Sequence, residues 1–407
     1  MTSTHRPSAA VTAGKAAAAA LVVAALAAGC TGSPAPRPSG SSGASSGSAS
    51  AGVPGAAGGT DTSAGIVGAP APLADLVTTL YAGHDLGASA TPSAAAALKN
   101  RRPASGTPQG KAALGSWFGT PIAVVTSGDD VTLAVGSGGG AAWTVVGGWW
   151  PSLGVSAPSL GGGPRWVLAI GSDARPGQPL ERSRADVLQV IGLDGRGGGG
   201  VMGMARDLWV PLSTGGTGKI NSAMVFGGPK AQLATVKSVT GLPVEGYVVL
   251  GFSGFTALVD GQGGIPIVIP RTVVASSVKD LVIKAGPQTL SGVEALAYAR
   301  ERQTLPDGDF GRSRHQGELI LAAAVKAKLA GPIAIPGALT DFGTVGKSNL
   351  SAEQILTFAA GLYTLSPLKV GRGVAKGGIG TAAGQSIVVL GREARSLFAS
   401  FKDGNLS

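Results

Sequence analysis

The sequence predicts an α/β (α+β) fold in which helices flank a central mixed sheet, preceded by a small N-terminal accessory α+β module. Over residues 164–407, short apolar runs rich in β-branched residues alternate with segments of helical spacing, which is typical of helices packed on a sheet. Aromatic residues make up 5% of the chain and apolar residues 44%, so we expect a core of Val, Leu, Ile and Ala. Glycine, at 68 of 407 residues, exceeds its usual share of about 7%, and it is concentrated in tracts that cannot bury a core.

The N-terminus predicts export. Residues 1–29 have the layout of a secretory signal, with a weakly basic start and an apolar run, 16–28, that is short for a transmembrane helix. The run ends in LAAGC at residues 26–30, where small residues precede the only cysteine. This arrangement resembles a lipobox, so we predict a lipoprotein signal peptide and lipidation of Cys30; an ordinary signal with an incidental cysteine is the alternative. The predicted location is extracytoplasmic, anchored to the outer face of the cell membrane.

Residues 30–70 form a Ser/Gly/Ala/Pro tract that predicts a disordered tether. Residues 71–160 predict the accessory domain. Its predicted elements are two helical segments, Leu73–Leu86 and Ala94–Asn100, and three strands, Pro121–Thr126, Val131–Val135 and Ala142–Val146. The pair Trp149–Trp150 either packs against the neighbouring domain, which we favour, or forms an exposed platform for sugar.

Residues 164–407 predict the catalytic domain. The predicted strands are Trp166–Ile170, Val187–Leu193, Val201–Met204, Gly246–Leu250, Ile265–Ile269 and Ser386–Leu390. The predicted helices are Lys230–Val239, Phe252–Val259, Gly292–Ala299, Gly311–Leu329, Ala352–Tyr363 and Glu393–Phe401.

Three of these strands each carry an arginine and an aspartate at one end. The pairs are Asp173 with Arg175, Arg184 with Asp186, and Arg206 with Asp207. Because neighbouring carboxylates repel each other, such a cluster needs cations or a metal ion among it. Mg²⁺ takes few protein ligands beside phosphate oxygens and waters. The pattern therefore predicts a metal and phosphate site at one edge of the sheet, and a surface ion-pair network is the alternative.

A second group of arginines lies close to the start of a predicted helix: Arg300, Arg302, Arg312 and Arg314. The planar fork of arginine matches phosphate oxygens, so this density predicts a phosphorylated substrate. Arg300 and Arg302 converge only if the preceding helix ends near Tyr298. Arg312 and Gln316 share a helix face near an N-terminus, which favours anions.

Three further residues complete the polar set. Lys219 and Asn221 stand in otherwise apolar surroundings, and Asp309 has the position of a helix N-cap. The net charge of +10 also favours polyanionic or phosphorylated partners.

Several motifs in one order resemble the LytR–CpsA–Psr family, in a lipoprotein-anchored form, over residues 166–329. They are GSDAR (171–175), RAD (184–186), ARD (205–207), KIN (219–221), FSGFTALVDGQGGI (252–265), GVEALAYARER (292–302) and GDFGR (308–312). The family usually has arginine where His315 stands.

The resemblance implies an extracytoplasmic phosphotransferase that moves a glycopolymer from an undecaprenyl-pyrophosphate carrier onto peptidoglycan through a phosphodiester. The prenyl chain would lie in an apolar slot between sheet and helices, and Asp173 and Asp186 would hold Mg²⁺ (or Mn²⁺). The implied catalytic residues are Asp173, Arg206, Asp207, Arg300 and Arg302, with Asp173 or Asp207 as the proton acceptor. The implied pyrophosphate ligands are Arg175, Arg184, Arg206, Lys219, Asn221, Arg300, Arg302, Arg312 and Gln316.

The expected partners are thus the lipid-linked donor, the peptidoglycan acceptor and the membrane, with no nucleic acid. Two alternatives remain open: a prenyl-pyrophosphate pyrophosphatase, and a binding protein for polyprenyl phosphate or wall polymer without turnover. A transcriptional regulator is disfavoured, because the chain has an export signal and no helix-turn-helix pattern.

Overall fold

The computed structural model describes residues 65–175 and 177–407. The predicted signal peptide, Cys30 and the tether up to residue 64 lie outside the described residues. Ile66–Val67 pairs in parallel with Gly110–Lys111. Residues 65–70 therefore belong to the accessory module, which begins earlier than the predicted boundary at residue 71.

The accessory module is a five-stranded sheet in sequence order with two helices. Its strands are β1 (Ile66–Val67), β2 (Gly110–Trp117), β3 (Thr120–Ser127), β4 (Asp130–Ser137) and β5 (Ala142–Trp149), and its helices are α1 (Ala71–Tyr81) and α2 (Pro92–Leu98). The sequence did not predict β2, which contains no β-branched residue and is held by its pairing with β3. Trp150 is fully buried and donates to Thr132 Oγ1 at 2.9 Å, so it packs in the module's own core.

The domain over residues 164–407, predicted to be catalytic, has a larger set of elements. Its strands are β6 (Arg165–Ser172), β7 (Ala185–Leu193), β8 (Gly199–Met204), β9 (Trp209–Pro211), β10 (Thr217–Lys219), β11 (Gly246–Gly251), β12 (Ile265–Ile269), β13 (Val273–Val274), β14 (Val282–Ile283), β15 (Gly286–Leu290), β16 (Lys347–Ser348), β17 (Val370–Ala375), β18 (Gly377–Ala382) and β19 (Gln385–Leu390). Its helices are α3 (Ser222–Thr240), α4 (Phe252–Gly261), α5 (Gly292–Arg300), α6 (Gly308–Ala330), α7 (Ile335–Val345), α8 (Ala352–Gly361) and α9 (Arg392–Ser400).

Six of these strands form the central mixed sheet, in the order β16-β11-β6-β7-β8-β17. β7 is antiparallel to both β6 and β8, whereas β11 is parallel to β6 and β17 is parallel to β8. The carboxyl ends of β6, β8, β11 and β17 therefore meet the start of β7 at one edge. The predicted strand β12 exists, but it pairs with β15 outside this sheet.

Side chains alternate between two cores on the opposite faces of the sheet. On one face Val167 and Ala169 pack with residues of α6, such as Leu319. On the other face Leu168 and Ile170 pack with residues of α3 and α9. The predicted arrangement of helices on both faces of a mixed sheet is confirmed.

Within residues 65–175 and 177–407, no single helix has the length and apolar composition to cross a membrane. Helices 308–330 and 332–345 have the required length and apolar composition only when they are taken together, and this pair is bent by 106°.

Helices α5 and α6 are joined by a buried aromatic and polar contact. The imidazole of His315 stacks on Tyr298 with ring centroids 3.9 Å apart, and His315 Nδ1 lies 3.0 Å from the carbonyl oxygen of Tyr298. The hydroxyl of Tyr298 donates to Glu318 at 2.5 Å. Burial lowers the pKa of His315, so the ring is neutral and belongs to the helix interface.

The accessory module meets the catalytic domain through Trp117, at the end of β2. Its indole stacks on Phe342 of α7 with ring centroids 5.5 Å apart, and its Nε1 donates to the carbonyl oxygen of Leu350 at 2.9 Å. Neighbouring Phe118, by contrast, is 44% exposed. The buried indole therefore holds the interface, while the phenyl ring borders it.

We predict that Trp117→Ala lowers the free energy of unfolding by about 3–5 kcal/mol, the usual range for truncating a buried large aromatic side chain. Phe118→Ala is the matched control and should cost well under half as much. Denaturant unfolding of both variants measures this. Equal losses would show that the two residues share the interface equally.

We also predict that His315→Phe flattens the dependence of stability on pH. A histidine whose pKa is lowered by folding contributes stability above its unfolded pKa of about 6.5, and this is lost as the pH falls through the folded pKa. The wild-type protein should therefore lose more stability than the variant when the pH falls below that value. Chemical unfolding at several pH values tests this, with the exposed His84→Phe as a control that keeps the wild-type slope.

Candidate functional site

The sheet brings the three predicted arginine–aspartate pairs to one edge. The backbone N–H of Arg184 donates to Asp173 Oδ1 at 2.9 Å, and the N–H of Asp173 donates to the carbonyl oxygen of Arg184 at 3.0 Å. Arg206, from the end of β8, reaches across to Asp186 at the start of β7. The strand-end cluster expected from the sequence is therefore assembled by β6, β7 and β8.

Asp173 and Asp186 are neighbouring carboxylates whose like charges oppose each other. Burial and the neighbouring charge of Asp186 raise the pKa of Asp173, although hydrogen bonding from Arg184 opposes this. Asp186 Oδ2 accepts from Arg206 at 2.7 Å, but its buried Oδ1 has no hydrogen-bond partner among the described residues. A buried carboxylate oxygen left without a donor beside a second carboxylate suits a divalent cation.

The donor set fits Mg²⁺ rather than a metal that needs a full protein cage. No group of three or more His, Cys, Asp or Glu side chains capable of holding a metal ion occurs in the described part of the chain. Mg²⁺ commonly uses one or two carboxylates and completes its shell with water and substrate phosphate. The two aspartates thus match the predicted metal ligands in chemistry.

Asp207 and Lys219 extend the cluster away from the pair. Lys219 Nζ lies 3.0 Å from Asp207 Oδ1, and Arg206 Nε lies 3.9 Å from Asp207 Oδ2. Lys219 is placed by a short hairpin, since β10 pairs with β9 and its Lys219 lies opposite Trp209. Asn221 follows this hairpin and is buried at its base.

Asp309 is a site residue that the sequence reasoning treated as an N-cap. The N-cap position of α6 is held by Asp307, whereas Asp309 Oδ1 lies 3.3 Å from Arg312 and 3.5 Å from Arg302. Burial raises the pKa of Asp309, but Arg312, a hydrogen bond with Asp207 and the other arginines outweigh it, so the pKa is lowered. Asp309 is therefore the anion that holds these cations together.

Glu301 separates Arg300, the last residue of α5, from Arg302. Helix α5 ends at Arg300, two residues after Tyr298, near which it was expected to end if Arg300 and Arg302 were to converge. The next residue, Glu301, has an extended backbone with ψ 130°. The buried Glu301 carboxylate accepts from the backbone N–H of Ser276 at 2.6 Å and of Thr304 at 3.0 Å. These bonds fix the turn that aims Arg302 at the cluster.

Arg300 and Arg302 lie in different surroundings. Arg302 lines a cleft of about 1190 Å³, whereas the guanidinium of Arg300 lies 4.9 Å from the ring centre of Phe252. Phe252 lines a second cleft of about 640 Å³ together with Arg175. The large cleft is lined by five of the nine predicted pyrophosphate ligands, together with Asp207 and Asp309; the five are Arg184, Arg206, Lys219, Asn221 and Arg302.

Two predicted phosphate ligands lie beneath the cleft. Arg312 is buried against Asp309. The amide of Gln316 donates to the carbonyl oxygen of Ala299 at 3.2 Å and accepts from Gln189 at 3.1 Å. Gln316 therefore holds the last turn of α5 instead of lining either cleft, which corrects its predicted role in direct contact with phosphate.

Arg314 also turns away from the cluster. Its guanidinium pairs with Asp307. Of the four arginines in the window, Arg302 lines the large cleft and Arg312 is buried beneath it against Asp309.

An apolar cavity of about 260 Å³ lies between β7, β8 and α6. Its lining includes Ile191, Val201, Ile320 and Leu321. A smaller cavity of about 170 Å³ shares Val201 and continues along α6 to Phe310 and Ser313, at the helix end that carries the arginines. We call the cavity of about 260 Å³ the apolar slot, since it lies between sheet and helix where a slot was expected; the smaller cavity next to it shares Phe310 with the large cleft.

Comparison with known proteins gives consistent matches. The LytR_cpsA_psr family model matches residues 155–372. "Probable cell wall biosynthesis protein LcpB" of Corynebacterium glutamicum is 31% identical over 43% of this chain and 44% of its own length. "Polyisoprenyl-teichoic acid--peptidoglycan teichoic acid transferase TagV" of Bacillus subtilis is 34% identical over 38% of this chain and 41% of its own length. The chain thus spans less than half the length of these two relatives.

Solved structures share the fold. Protein gbs0355 of Streptococcus agalactiae has a TM-score of 0.52 at 22% identity, over 59% of this chain and 87% of its own. "TagT bound to LI-WTA" has a TM-score of 0.50 at 23% identity, over 60% of this chain and 92% of its own. Since the family model covers more than half of the sequence, including every motif of the strand-end cluster, the chain belongs to the LytR_cpsA_psr family.

Proposed function

We propose that the protein transfers a glycopolymer from a polyprenyl-pyrophosphate carrier onto peptidoglycan, forming a phosphodiester. The observation that carries the proposal is the row of cavities along α6. The apolar slot shares Val201 with a smaller cavity, which shares Phe310 with the cleft lined by Arg184, Arg206, Lys219 and Arg302. Arginine-rich clefts suit pyrophosphate, and the slot suits an isoprenoid tail. The similarity to TagV, a polyisoprenyl-teichoic acid--peptidoglycan teichoic acid transferase by name, supports the same class of reaction.

The site's residues fit phosphoryl transfer, in which positioning and charge neutralisation supply most of the catalysis. A hydroxyl oxygen of the acceptor sugar bonds to the glycopolymer-linked phosphorus, and the bond to the polyprenyl phosphate breaks. The arginines hold the phosphate oxygens and stabilise the departing polyprenyl phosphate. The hydroxyl proton passes to a carboxylate, and we favour Asp207 because it lines the cleft, whereas Asp173 pairs with Asp186.

A divalent cation is part of the proposal. Mg²⁺ held by Asp173 and Asp186 would neutralise negative charge on the pyrophosphate. The buried Oδ1 of Asp186 and the raised pKa of Asp173 support this assignment.

The extracytoplasmic location, anchored through a lipid on Cys30, is also proposed and is supported by the signal pattern over residues 1–29. Mass spectrometry of the mature full-length protein tests both parts at once. A lipid-modified Cys30 at the new N-terminus would support the anchor, and a co-purifying polyprenyl pyrophosphate would support the substrate class. An unmodified Cys30, or a chain that retains residues 1–29, would contradict the lipoprotein assignment.

A pyrophosphatase that uses water as the acceptor is the competing activity, because the same cleft would serve it. Incubating the protein with a lipid-linked glycopolymer and peptidoglycan separates the two. Covalent attachment of the polymer supports the proposal, whereas free phosphorylated polymer alone supports the pyrophosphatase. Binding without either product supports the non-catalytic alternative.

We predict that Arg302→Ala lowers the transfer rate by about 10²-fold or more, the usual loss on removing one preorganised charge-stabilising group. Its side chain is 35% exposed, so the fold should remain stable. Exposed Arg395→Ala, on α9, is the matched control and should keep full activity. Full transfer by the Arg302 variant would remove this residue from the site.

Arg206→Ala is a weaker test of phosphate binding than Arg302→Ala. Arg206 is the partner of the buried Asp186, and removing one member of a buried pair costs about 3–5 kcal/mol. Its inactivity would therefore mix loss of stability with loss of phosphate binding.

We predict that Asp186→Asn removes stabilisation of the protein by Mg²⁺, because the amide halves the charge of the carboxylate pair. Thermal unfolding at increasing MgCl₂ concentration measures this without any substrate. The exposed Asp129→Asn is the control and should retain the wild-type response to Mg²⁺. An unchanged response in the Asp186 variant would place the metal elsewhere.

A further inference from the structure

An exposed apolar rim surrounds the end of α6 that lies far from the arginines. Val325 and Leu329, one helical turn apart, are 56% and 84% exposed, and Leu368, in the adjacent turn 367–369, is 93% exposed. Lys328 and Lys369 stand beside these leucines and are also exposed. We call these five residues the apolar rim.

The rim is held in place by hydrogen bonds. Lys328 Nζ donates to the carbonyl oxygen of Leu365, which ties the turn to the end of the helix. The backbone N–H of Ser366 donates to Gly197 at 2.8 Å, and that of Lys369 donates to Ser366 at 2.9 Å. Leu368 is therefore displayed at the tip of a fixed turn, where its apolar surface gains nothing from folding.

The two segments that form the rim carry charge of one sign. No Asp or Glu occurs between Glu318 and Asp341, or between Glu353 and Glu393, and the nearest acidic residues from other elements, Asp194 and Asp403, line the cleft on the far side of Leu365. Apolar side chains flanked by lysines of their own segments are complementary to an anionic lipid surface, where the leucines enter the acyl boundary and the lysines meet the headgroups. A protein partner would instead need hydrogen-bonding and acidic groups matched to the rim.

The rim is also continuous with the apolar slot. Val325, Lys328, Leu365 and Pro367 line the slot's outer part, and Leu329 and Leu368 follow two of them in the chain. The slot's volume of about 260 Å³ lies below the range of about 300–1,000 Å³ usual for pockets that enclose a drug-sized ligand. An apolar chain longer than the slot would leave it through the rim.

We propose that the apolar rim docks on the surface of an anionic phospholipid bilayer. The docking is independent of the chemistry proposed for the arginine cluster, and it requires neither glycopolymer nor metal.

Hydrogen–deuterium exchange of the full-length protein in vesicles tests the proposal. Vesicles of phosphatidylglycerol and phosphatidylcholine are compared with vesicles of phosphatidylcholine alone, so that attachment through the N-terminus is common to both. We expect slower exchange in segments 325–330 and 366–370 with the anionic vesicles. The β18–β19 hairpin carries Ile379, which is 74% exposed, and its exchange should not change.

Three variants test whether the rim itself causes the protection. Leu368→Asp should abolish the protection, and Lys369→Gln should weaken it about fivefold, the effect of one lysine near an anionic surface. Ile379→Asp is the matched control and should leave it intact. Equal protection in both vesicle types, or protection that survives Leu368→Asp, would overturn the proposal. Protection that appears without vesicles as protein concentration rises would also overturn it, because a second copy would then cover the rim.

Discussion

The buried ion pair between Asp186 and Arg206 is the contact on which the rest of the site depends. Both side chains are almost fully buried, where an unpaired charge is costly. The pair can form only because β7 runs antiparallel to β6 and β8, which places the start of one strand beside the ends of its neighbours. With Arg206 held by Oδ2, the buried Asp186 Oδ1 is left without a hydrogen-bond donor among the described residues, and the charge of Asp186 acts on Asp173. The sheet's topology thus creates the unsatisfied acceptor that makes a cation favourable there.

A second layer of buried polar side chains lies beneath the cluster and fixes the segments that carry its arginines. Glu301 fixes the turn after α5, and Gln316 holds the last turn of that helix. His315 stacks on Tyr298 in the same layer. It therefore joins α5 to α6 and does not line the large cleft.

Local pattern predicted much of the fold and the first layer of the site. Strand ends carrying Arg and Asp stand out in a sequence with few charged residues, so their convergence was predictable from alternation and order alone. Asp309 was missed because an aspartate before a helix usually caps it, and only the fold shows that Arg302 and Asp207 surround it. Glu301 was missed because its partners, Ser276 and Thr304, are backbone groups whose positions no side-chain pattern records. Strand β2 was missed because cross-strand pairing, not propensity, makes it a strand.

The two ends of α6 differ in chemical character, because the arginines lie near its start and the apolar rim lies at its end. Arg312 and Leu329 are 17 residues apart on one helix, a distance of roughly 26 Å at 1.5 Å per residue. If the rim docks on lipid, the cationic cleft is held well above the headgroups, farther than the roughly 15 Å thickness of one hydrocarbon leaflet. An isoprenoid tail could then run along α6 from the bilayer into the slot while its pyrophosphate reaches the arginines. The cleft, with the β9–β10 and β18–β19 hairpins as its walls, would open away from the membrane, on the side where a wall polymer is found.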